Sequence, residues 1–247
     1  MKMHPLQSPH PVIDERPLLR PRVVRLRPDT LAVTEMPAPS WAADQYRGIA
    51  IQVSERLEGR AEPCTLMVTS PEQGSGKTLT ALNLGLSLAE TVDRRVALVE
   101  ADLHRPQLYT YFEGGDRHAL GLRQMLTEQA DPAAVALRVQ DTALDVELAG
   151  HGEAASEAMS PPRLARCLGE LRARYGLLVV DSPPVPALPS ARALLSRADL
   201  VVVVVRAGRT AERGIESVLE IVGRERLLGF VLNASKPGKG TYGYYYR

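Results

Sequence analysis

The stretch "SPEQGSGKTLT", residues 70–80, joins an apolar run to a segment of helical spacing, and its residue types suit phosphate. Gly74 and Gly76 let the backbone approach phosphate oxygens with no Cβ in the way. A helix opening near Lys77 supplies free amides and the positive end of a dipole. In that context Lys77 reaches the β- and γ-phosphates and Thr78 ligates Mg2+, while Gln73, Gly74, Ser75, Gly76 and Leu79 complete the nucleotide-binding set. One departure is plain: Pro71 stands where G-x-x-x-x-G-K-T has its first glycine. Taken alone, such a loop could be a mere turn.

Two more segments argue otherwise. Glu100 and Asp102 close "VALVEAD", and Asp181 closes "LLVVD". A carboxylate directly after four apolar strand residues is expected at the carboxyl edge of a sheet, where open α/β sheets bind ligands. There Asp102 and Asp181, with Thr78, could hold Mg2+ beside the phosphates of ATP, directly or through water. Acids that only cap loops would not gather at one edge three times. The chain reads as a nucleotide-binding protein.

These residues need a frame that brings strand ends together. "WAADQYRGIAIQVSERLEG" has a helical pattern that stops at Gly59, and "CTLMVTS" follows as a strand. Leu79, Leu82, Leu86 and Ala89 recur at helical spacing behind the glycine loop. "RVALVEAD" and "LDVELAG" are short strands. Pro161 to Tyr175 is an amphipathic helix, with Ser160 as its expected N-cap. "GLLVVDSPP" and "ADLVVVVVRAG" are continuous apolar strands, as expected where helices cover both faces of a parallel sheet. A helix through Ile215, Val218, Leu219 and Val222 and a strand "LLGFVLNAS" close the series. Alternating strands and helices predict an α/β fold with a doubly wound, mostly parallel sheet.

The first forty residues hold eight of the nineteen prolines, and the last six hold four of the eight tyrosines. We therefore expect a flexible proline-rich arm over 1–40, a nucleotide-binding domain over 41–236 and a flexible tail over 237–247. A net charge of +1 excludes a surface built wholly for nucleic acid. Cys64 and Cys167 make no CxxC pair, which fits a reducing compartment, and the five histidines show no ligand spacing. The longest apolar run, Leu200 to Val205, is too short to span a bilayer, and no signal-type apolar segment opens the chain. A cytoplasmic protein is expected, reaching a membrane only through a partner.

From about Asp44 to Arg247 the chain resembles the bacterial tyrosine kinase family of capsule and exopolysaccharide synthesis. Those are P-loop ATPases related to the partition and septum-site ATPases. "SPEQGSGKT" resembles the family's Walker A, "VALVEADLHRP" its Walker A′ and "LLVVDSPPV" its Walker B. Asn233, in "LLGFVLN", resembles the residue near the adenine. The resemblance implies a kinase that uses ATP and Mg2+ and autophosphorylates Tyr242, Tyr244, Tyr245 and Tyr246. Lys77, Glu100, Asp102 and Asp181 are then the catalytic candidates. Either Glu100 or Asp102 orients or deprotonates the tyrosine hydroxyl, and the sequence does not separate them. A string of phosphotyrosines would repel neighbouring tails and loosen an assembly.

Family members without a membrane segment work with a transmembrane activator related to polysaccharide chain-length regulators, so such a partner is implied at the inner face of the plasma membrane. A homo-oligomer is implied too, although the motif is degenerate. The family's E-x-x-R-x-x-R reads here as Asp44, Arg47 and Ala50. Glu100 replaces the usual first aspartate of D-x-D, and His104 the first of two arginines. Two alternatives stay open. One is an ATP-binding scaffold of the same pathway that transfers no phosphate. The other is a positioning ATPase of the partition type, whose additional lysine would fall at Glu72 and whose glycine would fall at Gln73.

Overall fold

The computed structural model describes residues 21–36, 40–152 and 158–235. Eight strands form one sheet in the order β1-β4-β5-β3-β6-β2-β7-β8. Six consecutive strands, out to the β8 edge, lie parallel: β5 (Leu144–Glu147), β3 (Val96–Glu100), β6 (Leu177–Asp181), β2 (Cys64–Thr69), β7 (Leu200–Arg206) and β8 (Leu227–Asn233). β4 (Leu137–Val139) runs antiparallel to β5, and β1 (Arg22–Val24) runs parallel to β4. The expected doubly wound, mostly parallel α/β fold is the fold observed.

Helices cover both faces because the central strands are apolar on both. Leu66, Val68 and Leu98 pack towards α1 (Trp41–Leu57) and α2 (Lys77–Thr91). Met67, Ala97 and Val99 face the other way. That second layer holds α3 (Leu122–Leu126), α5 (Pro161–Arg172), α6 (Pro189–Leu195) and α7 (Glu212–Val222), with the single turn α4 (Pro132–Val135) at its rim. α2 is buried all round from Thr80 to Leu88, since α1 lies over its outer face. A helix so placed needs no polar side, and its composition "TALNLGLSL" reflects that. Ser160 does stand at the N-cap of α5, but its side chain accepts no capping bond there. Pro161 at the first helical position leaves one less orphan amide to satisfy. No helix among the described residues is long and apolar enough to cross a membrane.

The expectation of a flexible arm as far as residue 40 needs correction. Residues 22–24 form β1, and Leu26 bridges to Phe112. Leu26 and Ala32 are buried in the core under α2. The buried Asn83 of α2 explains how a proline-rich segment becomes ordered: its Oδ1 accepts from Val33 N at 2.9 Å, and its Nδ2 donates to Leu31 O at 3.0 Å. A helix side chain thus replaces the sheet partners that residues next to prolines cannot supply. If Leu26 belongs to the core, Leu26→Ala should lower unfolding free energy by about 2–3 kcal/mol in urea titration. A mobile arm would predict no change.

Candidate nucleotide site

Three parallel strands end side by side. Glu100 of β3 lies in register with Asp181 of β6, and Asp181 with Val68 of β2. Ala101 N donates to Asp181 O at 2.8 Å, extending the ladder one residue past β3. The loop from Ser70 to Gly76 leaves β2 at the same edge. It turns through Gly74 (φ 75°) and Gly76 (φ 91°), conformations open to residues without Cβ. Ser70 Oγ and Ser75 Oγ both donate to Glu72 O, at 2.5 and 2.9 Å, and hold the loop curled. Pro71 fits in place of the first glycine because it packs against Gly214 of α7, where a Cβ would stand 3.2 Å from its ring. Gly76 caps α2 without a side chain, so the first-turn amides of Lys77, Thr78 and Leu79 face the loop's concavity with no intrahelical acceptor.

Asp181 is the electrostatic centre. It is buried, and no described residue hydrogen-bonds to either carboxylate oxygen. Burial pushes its pKa up to about 7, while the Lys77 ammonium and then the Thr78 hydroxyl pull it down and Glu100 and Asp102 push it up. Lys77 is itself buried. An unsatisfied carboxylate beside a buried ammonium, a hydroxyl and free amides fits a divalent cation with bound phosphates, because the ion supplies the missing partner. Among the described residues no group of three or more acids, histidines or cysteines could hold a metal ion.

The two Walker A′ candidates separate here. Glu100 Oε1 accepts from Gln107 N and Leu108 N, both at 2.6 Å, and Oε2 accepts from Ala149 N at 3.0 Å. Burial raises its pKa and those three amides lower it. Its lone pairs are thus committed to backbone. Asp102, half-buried, accepts only from Arg105 N, at 3.2 Å, among the described residues. Asn233 lies against the loop from the end of β8: its Nδ2 donates to Ser75 O at 2.8 Å, and a Cβ on Gly76 would collide with it. Gln73 and Gly74 are exposed on the loop, and Leu79 is half-buried. Lys77, Thr78, Asp102, Asp181 and Asn233 are therefore brought to one edge. Tyr242, Tyr244, Tyr245 and Tyr246 lie outside the described residues.

Sequence reasoning missed the loop after β7. Arg206 Nη1 donates to Gly74 O at 2.9 Å, and Thr210 Oγ1 donates to Glu72 Oε1 at 2.8 Å. β7 neighbours β2 in the sheet, so its carboxyl end had to meet the glycine loop. That adjacency was the available signal. Tyr111 also approaches: burial first, then the Asp181 and Glu100 charges, raise its phenol. At the degenerate helix motif, Arg47 pairs with Asp44 at 2.6 Å, and Ala50 is buried in the core on the side of the sheet that α1 and α2 cover.

A family model described as an AAA domain matches residues 65–227. The tyrosine-protein kinase YwqD of Bacillus subtilis (strain 168) is 28% identical over 92% of this chain and 95% of its own length. EpsB of Ralstonia solanacearum is 32% identical over 72% of this chain but 24% of its own, so the chain spans about a quarter of that relative. The crystal structure of the VpsO kinase domain superposes with a TM-score of 0.68 and 26% identity, covering 79% of this chain and 97% of that one.

The unpaired state of Asp181 has a measurable sign. Its folded-state pKa stands above that of an exposed aspartate, so between about pH 4 and pH 7 the folded chain holds a proton that the unfolded chain has released. Folding stability therefore falls as pH rises through that window. Asp181→Asn removes the loss. In calorimetry without nucleotide the variant should be more stable than its parent near pH 8, by an amount on the order of 4 kcal/mol that shows as a higher unfolding temperature, and the gap should narrow towards pH 5.

Proposed function

The chain belongs to the AAA-domain family and, within it, to the bacterial tyrosine kinases of capsule and exopolysaccharide synthesis, and from that premise we propose a mechanism for its phosphotransfer. The chain is a protein-tyrosine kinase. The observation that carries the assignment of roles is the orphaned Asp181 carboxylate beside Lys77 and Thr78 at the mouth of the glycine loop.

Loop amides from Gln73 to Thr78 and the Lys77 ammonium bind the β- and γ-phosphates of ATP and stabilise charge spread over the transferring group. Asp181, the Thr78 hydroxyl and Asp102 hold Mg2+, directly or through water. When bound, the ion offsets charge on the phosphate oxygens and fixes their geometry. Asp102 keeps an oxygen for a tyrosine hydroxyl and accepts its proton as the bond from the phenol oxygen to the γ-phosphorus forms and the bond to the bridging oxygen breaks, releasing ADP. Glu100 positions: it fastens the segment after β3 to the end of β5 and so sets where Asp102 points. Asn233 braces the loop from the side on which the adenine is expected.

The acceptors are Tyr242, Tyr244, Tyr245 and Tyr246, presented to a neighbouring copy in an oligomer. A transmembrane polysaccharide co-polymerase is the activator and holds the kinase at the inner face of the membrane. One second reading has an observation behind it. Glu100, committed to three amides, is what an ATP-binding scaffold without transfer would also tolerate. The partition-type reading has lost its support, because Glu72 is held on Thr210 where a lysine would need to reach phosphate.

Purified chain should gain phosphotyrosine on incubation with Mg·ATP, more so with the activator's cytoplasmic segment. Lys77→Ala and a chain ending at Gly240 should both lose the signal. Asp102→Asn should keep nucleotide binding and slow transfer by roughly a hundredfold. Phosphotyrosine absent under every condition, with ATP still bound, would establish the scaffold instead.

A further inference from the structure

The loop between β7 and α7 carries a cation with no role in the scheme above. Arg206 donates from its side chain to Gly74 O, and its backbone N donates to Thr210 Oγ1 at 2.8 Å. Thr210 in turn donates to Glu72 Oε1. These bonds stitch the loop to the glycine turn at Glu72 and Gly74. Arg209 is carried between the two anchors. Its guanidinium lies against Gly74, with Nη1 3.5 Å from where a Cβ on that glycine would stand.

Among the described residues no carboxylate pairs with Arg206 or Arg209, although ten other arginine–carboxylate contacts are formed elsewhere. Glu72, the nearest acid on the glycine loop, spends its carboxylate on Thr210. Two arginines therefore stand over the glycine turn with no carboxylate among the described residues to neutralise them. A bound Mg·ATP still carries excess negative charge after Lys77 has been counted. A guanidinium presents a planar fork that matches phosphate oxygens two at a time.

The geometry points to Arg209 as a phosphate-binding residue for the nucleotide, supplied from the β7–α7 loop, with Arg206 and Thr210 as its positioning residues. This inference rests on the nucleotide reading of the glycine loop. It adds a second cation to the site, supplied by the loop after a strand that is distant in sequence from Lys77 but neighbours β2 in the sheet.

Calorimetric titration of the full chain with Mg·ATP tests it. Arg209→Gln should weaken binding roughly tenfold, and Arg209→Lys should recover part of the loss, as expected when a charge-assisted bond to phosphate is removed or blunted. The gap between Arg209→Gln and the parent should shrink from low to high salt, which a purely structural role would not produce. Arg209 is exposed, so the nucleotide-free unfolding temperature should not move. A change of less than threefold in Arg209→Gln, with Lys77→Ala weakened as expected, overturns the role of Arg209 alone. If Lys77→Ala also binds Mg·ATP as the parent does, the nucleotide reading of the loop falls with it.

Discussion

The register of three parallel strands is the constraint on which the site depends. Hydrogen bonding sets Glu100, Asp181 and Val68 abreast across β3, β6 and β2. Because side chains alternate along a strand, a slip of one residue in either pairing would turn Asp181 into one of the two apolar layers. That register is secured by apolar pressure from both sides. Met67, Ala97 and Val180 answer to one helical layer, and Leu66, Leu98 and Val179 to the other. The hydrophobic pattern therefore does more than build a core. It determines which atoms meet at the sheet's edge.

What that edge holds is a deliberate deficit. A buried carboxylate without hydrogen bonds is unfavourable, and its raised pKa is the same fact expressed as proton affinity. The surrounding groups offset the deficit only in part. The Lys77 charge and the Thr78 hydroxyl lower the pKa, yet neither reaches Asp181 with full hydrogen-bond geometry. The fold thus holds a carboxylate that its neighbours compensate only in part, and the cation proposed there would gain binding energy by relieving that deficit.

Much of this was legible in the sequence, and the failures have physical causes. The strands β3, β6, β2 and β7 announce themselves as apolar runs because both faces are covered. Glycine, lysine and threonine in sequence define the loop locally, and acids at strand ends define its edge. β1 was hidden because prolines at 21 and 28 argue against regular structure, and its ordering depends on Asn83, fifty residues downstream. β5 reads as half-exposed by its alternation of Leu144, Asp145, Val146 and Glu147, yet all four are buried. Asp145 is paired with Arg95 and Arg138, and Glu147 is buried deeply enough that its carboxyl is pushed well above the usual range. Contacts of that kind join distant segments, so no local pattern reveals them. The same holds for Arg206 and Thr210, whose partners lie in the glycine loop.

Glu100 shows how such a contact changes the reading of a motif. By type and spacing it is interchangeable with Asp102 as a base. In three dimensions its extra methylene lets one carboxylate meet the amides of Gln107 and Leu108 on one side and Ala149 on the other. An aspartate at the same Cα would sit about one carbon short of that span. Placed there, glutamate ties the segment after β3 to the end of β5, two loops that must keep a fixed distance if Asp102 is to face a hydroxyl. The substitution that looked like a loss of chemistry is thus a gain in reach, and it leaves Asp102 the less engaged of the two acids.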